Sequence, residues 1–408
     1  MYNGILHLSF STTGGAGVIA SSISEYQKDL KFKSIFKSVL QKGIRDAIFT
    51  NPFLVFTSLI DFYFVRNRSS SVLFTLFRRS WRNFASKLMN LDYDVLHLHW
   101  LPGVISFEDL GIMVSNFRTT VWTFHDMWPI TGGCHHSFNC EKFLNSCSNC
   151  PQSRPLFYKK ISASRNEKID FFRANENLII TVPSKWLFNR VQSFLNHSGL
   201  KNQVILVRNP IDTKKFSPTS GEMKNSIRKR WGFREQSLLL GFNANNLSDP
   251  LKNLKLITSY VDRFNRESIF KIDLLIMGNN CPKSFNGPHH HYLGTDSTTS
   301  LPDFYRVIDI FINLSKMENL PTNVLESQSC GLPSLVSKNG GLPETIIHGK
   351  TGYVISNFTE FRDALNNLSK ISLRDSFGKE ARKFIADNFS IEEIEFKYRE
   401  LYDSWERT

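Results

Sequence analysis

Short apolar runs alternate with amphipathic stretches along almost the whole chain, and this alternation restricts the fold more than any other feature. It implies an α/β protein built on parallel sheets. In the first half the strand candidates are 4–9, 94–99, 119–124 and 178–182. In the second they are 204–207, 237–242, 272–277, 309–313, 334–337 and 352–355. Each half reads as a doubly wound sheet. A chain of 408 residues can give each half its own core. The boundary is expected in the polar stretch 197–203, which divides the chain into domains 1–198 and 199–389. The final stretch, 390–408, opens with Ser390 and Glu393 spaced as a capping box. Its apolar residues Ile391, Ile394, Tyr398, Leu401, Tyr402 and Trp405 follow helical spacing, so it is expected to pack back onto the first domain.

The segment 316–349 carries most of the chemistry. Glu318 and Glu326 flank a Pro-led helix start, with seven residues between them. Pro321 suits the first helical turn, where its missing N–H costs nothing, and the free amides beside it form an anion site. A strand and the Gly340-Gly341 turn follow. The layout suits a nucleoside diphosphate: amides for phosphates, one carboxylate for ribose hydroxyls, a second for a sugar. Lys252 lies after a strand and at a helix start, a place from which a lysine can bridge a diphosphate.

In the first half, the leading strand runs into Ser11-Thr-Thr-Gly14-Gly15-Ala16-Gly17, where glycines at a strand–helix junction let a phosphate approach the backbone. This is neither a full dinucleotide fingerprint nor a P-loop, and such glycines also serve close packing. His125-Asp126 directly follows a strand, at the end that faces the ligand crevice of a doubly wound sheet; the pair can contact a sugar or steer a proton. His97 and His99 share one face of a strand, and burial or support of a neighbouring group is the expected role for both.

Cys134, Cys140, Cys147 and Cys150 lie within 17 residues. Cys147-x2-Cys150 is the tight half of a zinc knuckle, and Cys134 with Cys140 could close a tetrahedral structural site. Four thiolates leave no open position for catalysis. The alternative is a thiol cluster that packs without metal. Cys281 and Cys330 are expected as small buried residues, and His289-His290-His291 as a surface loop.

The net charge of +13 is uneven: residues 28–87 hold twelve Lys or Arg against three Asp. Such a block suits phosphate-rich partners. Lys31, Lys33, Lys37, Lys42 and Arg45 interleave with Phe32, Ile35, Phe36, Val39, Leu40 and Ile44, which predicts a basic amphipathic helix lying on an anionic membrane. Arg66, Arg68, Arg78, Arg79 and Arg82 add a second basic stretch around 72–77. The most apolar stretch, 52–65, is too short to span a bilayer and contains Asp61. The N-terminus lacks a signal-peptide pattern, so a cytoplasmic location is expected, peripheral on the inner face of the cell membrane.

Taken together, Glu318-x7-Glu326, Cys330-Gly-Leu-Pro, Gly340-Gly-Leu-Pro-Glu344, the Gly14–Gly17 loop and Arg208-Asn-Pro-Ile-Asp resemble the retaining glycosyltransferases of family 4 over almost the whole chain. The block from His125 to Cys150 is similar to a subgroup that builds bacterial surface polysaccharides of the O-antigen, capsule or colanic-acid type. The resemblance implies a GT-B fold, two Rossmann-like domains facing across a cleft, with the acceptor in the first and the sugar nucleotide in the second. It implies transfer of a hexose-type sugar, with retention, from a UDP- or GDP-sugar to a lipid-diphosphate-linked oligosaccharide, and no obligatory catalytic metal. By position, Glu326 would bind ribose, and Glu318 and His125 would sit at the transferred sugar. Asn319, Leu320 and Thr322 with Lys252 would hold the diphosphate, and Gly15 would approach it from the other domain. The family commonly has an Arg shortly before the lysine. Here Asn243 or Arg208 would have to share that load. A sugar-nucleotide epimerase on the same scaffold is the nearest alternative. A zinc-dependent nucleic-acid-binding protein is a distant one, since clustered aromatic-basic recognition motifs are absent and no nucleic acid is expected as partner.

Overall fold

The computed structural model describes residues 3–12, 14–40, 52–67, 73–77, 88–89, 91–234, 237–282, 285, 287–295 and 300–404. The chain divides into two units, Met1–Arg208 with Ile394–Thr408, and Asn209–Glu393.

The first unit holds β1 (Ile5–Ser11), β2 (Ser34–Leu40), β3 (Val95–Leu98), β4 (Thr119–Thr123), β5 (Ile179–Val182) and β6 (Val204–Leu206), in the spatial order β2-β1-β3-β4-β5-β6. Every described pairing in this sheet is parallel. β1 and β3 head toward opposite edges, so a crevice opens beyond their carboxyl ends. The glycine loop after β1, His99 after β3 and His125 after β4 all lie at that end.

The second unit holds β7 (Leu238–Asn246), β8 (Ile272–Asn279), β9 (His290–Leu293), β10 (Ile310–Asn313), β11 (Ser334–Ser337) and β12 (Gly352–Ile355), ordered β12-β11-β10-β7-β8-β9. The order reverses between β7 and β10. The carboxyl ends of those two strands carry the segments that hold Asn243, Lys252, Asn313 and Glu318. β10 is buried along its whole length, as a parallel sheet covered on both faces requires.

Serines or asparagines cap many helices: Ser106, Ser184, Ser220, Ser300 and Asn357 each accept a first-turn amide. The helices that open on the two crevices differ. Gly15–Asp29 starts from Gly14 and Thr322–Ser329 from Pro321, neither with a side-chain cap. Pro321 is thus the capping residue rather than part of the first turn. The first-turn amides of both helices are left for other acceptors.

Four expectations change. Residues 34–40 are a strand, not part of an amphipathic helix: Ile35 and Phe36 suit a pleat, and pairing with β1 satisfies the backbone. Lys42, Ile44 and Arg45, with Arg68, Arg78, Arg79 and Arg82, lie outside the described residues. Residues 204–206 belong to the first sheet, because Val204, Ile205 and Leu206 pair with Ile180, Thr181 and Val182. The division therefore falls after Arg208, not after 198. Gly199 only ends the helix Lys185–Ser198, in the left-handed conformation. His290 and His291 are in edge strand β9, with His289 and His291 on Asp273 and His290 on Asp262.

The helix Ile391–Ser404 carries Ile394, Tyr398 and Tyr402 into a cluster with Ile5, Ile19, Val95, Val121 and Ile179 of the first unit. Trp405 lies outside the described residues. No described helix is long and apolar enough to cross a membrane.

Candidate functional site

In the second unit the two carboxylates stand in different settings. Glu318 accepts a hydrogen bond from Lys252 Nζ at 2.5 Å. Its backbone is held by the glycine turn: Gly341 N–H donates to the Glu318 carbonyl at 3.0 Å. A Cβ on Gly340, whose φ is +63°, would lie 2.0 Å from the same oxygen. Burial lowers the Lys252 pKa, but Glu318 and then Asp249 outweigh it, so the net shift is upward and the ammonium is retained.

Glu326 Oε2 accepts from the Tyr305 hydroxyl at 2.7 Å, and Tyr305 in turn accepts from Asn243 Nδ2 at 3.0 Å. Burial pushes the Glu326 carboxyl up to about 7, against Tyr305 and Lys215, which lower it. Asn243 thus supports the carboxylate through Tyr305 with one of its two amide hydrogens. Asn323 ties the β7 end to the helix start by donating to the Asn243 carbonyl at 3.0 Å. Leu320 and Asn319 are buried beside that helix start, with Thr322 its first residue. Tyr305 lies 21 residues before Glu326 and carries no signal in the sequence. Arg208 falls in the first unit.

In the first unit the glycines have separate duties. Gly14 has φ +84°. Gly17 permits close packing, since a Cβ there would lie 2.1 Å from the Ser11 carbonyl. Gly15 needs neither: a Cβ there would meet nothing within 4 Å. Open space beside a first-turn amide is what an approaching anion requires.

His125 and Asp126 point to different partners. Asp126 is consumed by structure: it accepts from Trp100 Nε1 at 2.6 Å, His135 Nδ1 at 2.6 Å and the Trp128 amide at 2.8 Å. Burial would raise its pKa, yet His135, then His136 and the Trp128 amide, bring it down to about 2. His125 Nε2 lies 3.3 Å from His99 Nδ1, and burial lowers the His125 pKa to about 4 despite Asp126. His97 and His99 are buried behind it.

Cys134, Cys147 and Cys150 are buried and Cys140 half-buried in one loop. Burial first, then the neighbouring sulfurs, raises the Cys134 thiol; Cys147 is pushed up to about 11. Cys147 Sγ accepts from the Gly132 amide at 3.2 Å. Among the described residues, however, the only set of three or more ligand atoms within 4.8 Å of one another is His7, His97 and His99. The four sulfurs share one loop, and Cys134 is influenced by the other three.

Two open-ended parallel α/β units with these switch points define a GT-B fold. Residues 223–384, less than half of the chain, match the family model described as glycosyl transferases group 1. Anabaena Alr3699/HepE in complex with UDP superposes with a TM-score of 0.66 at 13 % identity, over 98 % of this chain and 100 % of that one. Sulfoquinovosyl transferase SQD2 of Arabidopsis thaliana is 28 % identical over 45 % of this chain and 36 % of its own. The putative colanic acid biosynthesis glycosyl transferase WcaC of Escherichia coli is 38 % identical over 15 % of this chain and 16 % of its own. The chain thus spans only part of these curated relatives, and together the comparisons support a glycosyltransferase.

Proposed function

We propose that this chain is a retaining glycosyltransferase of family 4 that moves a hexose-type sugar from a UDP- or GDP-sugar to a lipid-diphosphate-linked oligosaccharide during bacterial surface-polysaccharide synthesis. The observation that carries the reading is the furnishing of the second unit's switch point: an uncapped helix start, a retained lysine and two carboxylates, one of them braced by Tyr305. Breaking the bond from the anomeric carbon to the diphosphate leaves negative charge on phosphate and positive character on the sugar. Lys252 and the amides around Asn319, Leu320 and Thr322 meet the first. Glu318 faces the second, and Glu326 takes ribose hydroxyls. In the first unit, taken by itself, the open space beside the Gly15 amide suits an anion and His125 suits a sugar hydroxyl. The reading needs no catalytic metal, because fixed donors supply the charge. The structural zinc expected at Cys134, Cys140, Cys147 and Cys150 would brace the loop after His125. Elemental analysis of protein purified without a metal-affinity column is expected to find about one zinc per chain; none, with all four thiols titratable, leaves the loop to packing.

The membrane surface moves from 32–44 to another segment. The helix Pro52–Ile60 and the turn Asp61–Val65 expose Phe56, Leu59, Phe62, Tyr63 and Phe64, and Leu73 is exposed too. Arg66 stacks 4.2 Å from the Phe62 ring, and Arg154 donates to the Tyr63 carbonyl. An aromatic row beside arginines suits a peripheral protein on an anionic leaflet. Asp61 is buried and accepts the Leu76 amide at 3.1 Å, so it holds this segment rather than facing lipid.

The function test is a donor screen with and without membrane extract as acceptor. The expected result is UDP or GDP release that depends on acceptor. Nucleotide release without acceptor and without transfer, or isomerisation of the sugar nucleotide, would defeat the reading. For the membrane surface, salt-sensitive co-sedimentation with anionic vesicles is expected, lost on replacing Phe62, Tyr63 and Phe64 by Ser. Unchanged sedimentation of that variant would remove the segment from the role.

A further inference from the structure

Four histidines on or just after three adjacent strands lie close together inside the first unit. His7 is on β1, His97 and His99 are on and just after β3, and His125 follows β4. His7, His97 and His99 are fully or almost fully buried. His97 stacks on His99 with ring centroids 4.1 Å apart, and its nitrogens are bonded to the hydroxyls of Tyr402 and Thr123, both at 2.7 Å. The other three form a single run of contacts: Gln27 Oε1 to His7 Nε2 at 2.9 Å, His7 Nδ1 to His99 Nε2 at 3.2 Å, and His99 Nδ1 to His125 Nε2 at 3.3 Å.

We propose that Gln27, His7 and His99 are positioning residues that decide which nitrogen of His125 carries its proton. This rests on the reading of His125 as a sugar-contacting group. The argument runs outward from Gln27. Its amide oxygen accepts from the Ser34 hydroxyl at 3.0 Å. Its nitrogen has no hydrogen-bond partner among the described residues, so the oxygen alone carries the amide's contacts. The oxygen of Gln27 therefore faces His7, and His7 must donate from Nε2. A neutral ring has one N–H, so His7 Nδ1 is an acceptor. His99 must then donate from Nε2 and accept at Nδ1, and His125 must donate from Nε2. Nδ1 of His125 is then the accepting nitrogen. Burial is the leading cause that keeps the three rings neutral; the pKa is about 4 for His7 and His125 and well below the usual value for His99. Adjacent rings also oppose one another's protonation. An amide on the helix Gly15–Asp29 thereby sets a proton position three side chains away.

The test is a proton–nitrogen correlation spectrum of full-length protein with 15N-labelled histidine. Each ring is assigned by its loss in a His→Gln variant. The expected result at neutral pH is the Nε2–H tautomer for His7, His99 and His125. Gln27→Met removes the acceptor at similar length and should give mixed tautomers at all three. Its kcat should fall about twofold if the forms become equally populated, with donor KM unchanged. His99→Gln, whose amide can donate to His7 and accept from His125, should preserve the His125 tautomer, whereas His99→Leu should not. An Nδ1–H tautomer at His125 in the parent would overturn the proposal, as would tautomers unmoved in both Gln27→Met and His99→Leu. So would a stoichiometric metal ion lost on His7→Gln, since the ring nitrogens would then be ligands. Full activity of His125→Gln alongside the expected spectra would instead defeat the sugar-contact reading and leave the chain of bonds standing.

Discussion

The two crevices occupy the same topological place, yet they are furnished in opposite ways. At the carboxyl ends of β1, β3 and β4 the ionisable groups are buried rings held neutral, and Asp126 is saturated by Trp100, His135 and Trp128. At the ends of β7 and β10 the groups keep charge and reach: Lys252 holds one bond to Glu318, and Glu326 holds one to Tyr305. A charge surrounded by fixed partners stabilises a fold. A charge with one light partner can exchange that partner for a ligand. The contrast separates a crevice whose charges are already partnered from one whose charges can be exchanged.

The sharpest way to break the comparison is to remove one carboxylate from each side. Asp126→Ala strands buried donors and His135, which should cost about 3–5 kcal/mol and lower Tm by about 10 °C. A change of a degree or two by scanning calorimetry would show that the loop does not depend on Asp126. Glu326→Gln should do the reverse. UDP affinity by calorimetry should fall roughly ten- to a hundredfold, about 1.5–3 kcal/mol, with no loss of Tm.

The two carboxyls should also answer pH with opposite signs. Asp126 is depressed, so its contribution to stability is full above the ordinary 3.8 and is lost as pH falls through about 2. Glu326 is raised, so its contribution is full below 4.5 and is lost as pH rises through about 7. A ribose-binding carboxylate must be ionised, so UDP affinity should rise with pH through about 7, and Glu326→Gln should flatten that rise. A pH-independent affinity in the parent would separate Glu326 from the ribose.

The smallest effect sharpens the comparison within one loop. Gly17→Ala drives a methyl against the Ser11 carbonyl and should cost about 1–3 kcal/mol. Gly15→Ala meets open space, so urea melts should shift by less than about 0.5 kcal/mol, while turnover falls. A stable Gly15→Ala protein with parental kinetics would leave the Gly15 amide without a ligand.

Much of this was legible in the chain because it is written in contiguous residues. Alternating apolar runs set the parallel α/β class, and ten strand candidates correspond to observed strands. Strands β2 and β9 were not among them: 34–40 has spacing compatible with a helix, and only the open edge of β1 decides otherwise, while 290–293 has no long apolar run and depends on pairing with β8. The helical reading of 34–40 failed for the same reason. An apolar stripe states that a face is covered without stating by what.

By itself the sequence determined the fold class, the place of Glu318 and Glu326 around a helix start, and the turn glycines. These depend on residues near one another in the chain and on backbone sterics. Only the tertiary structure decided which side chains meet. Lys252 finds Glu318 across 66 residues, His7 finds His99 across 92, and His97 finds Tyr402 across 305. A doubly wound sheet brings strand ends together in an order unrelated to their order in the chain. Partners, burial and hence protonation follow from that order.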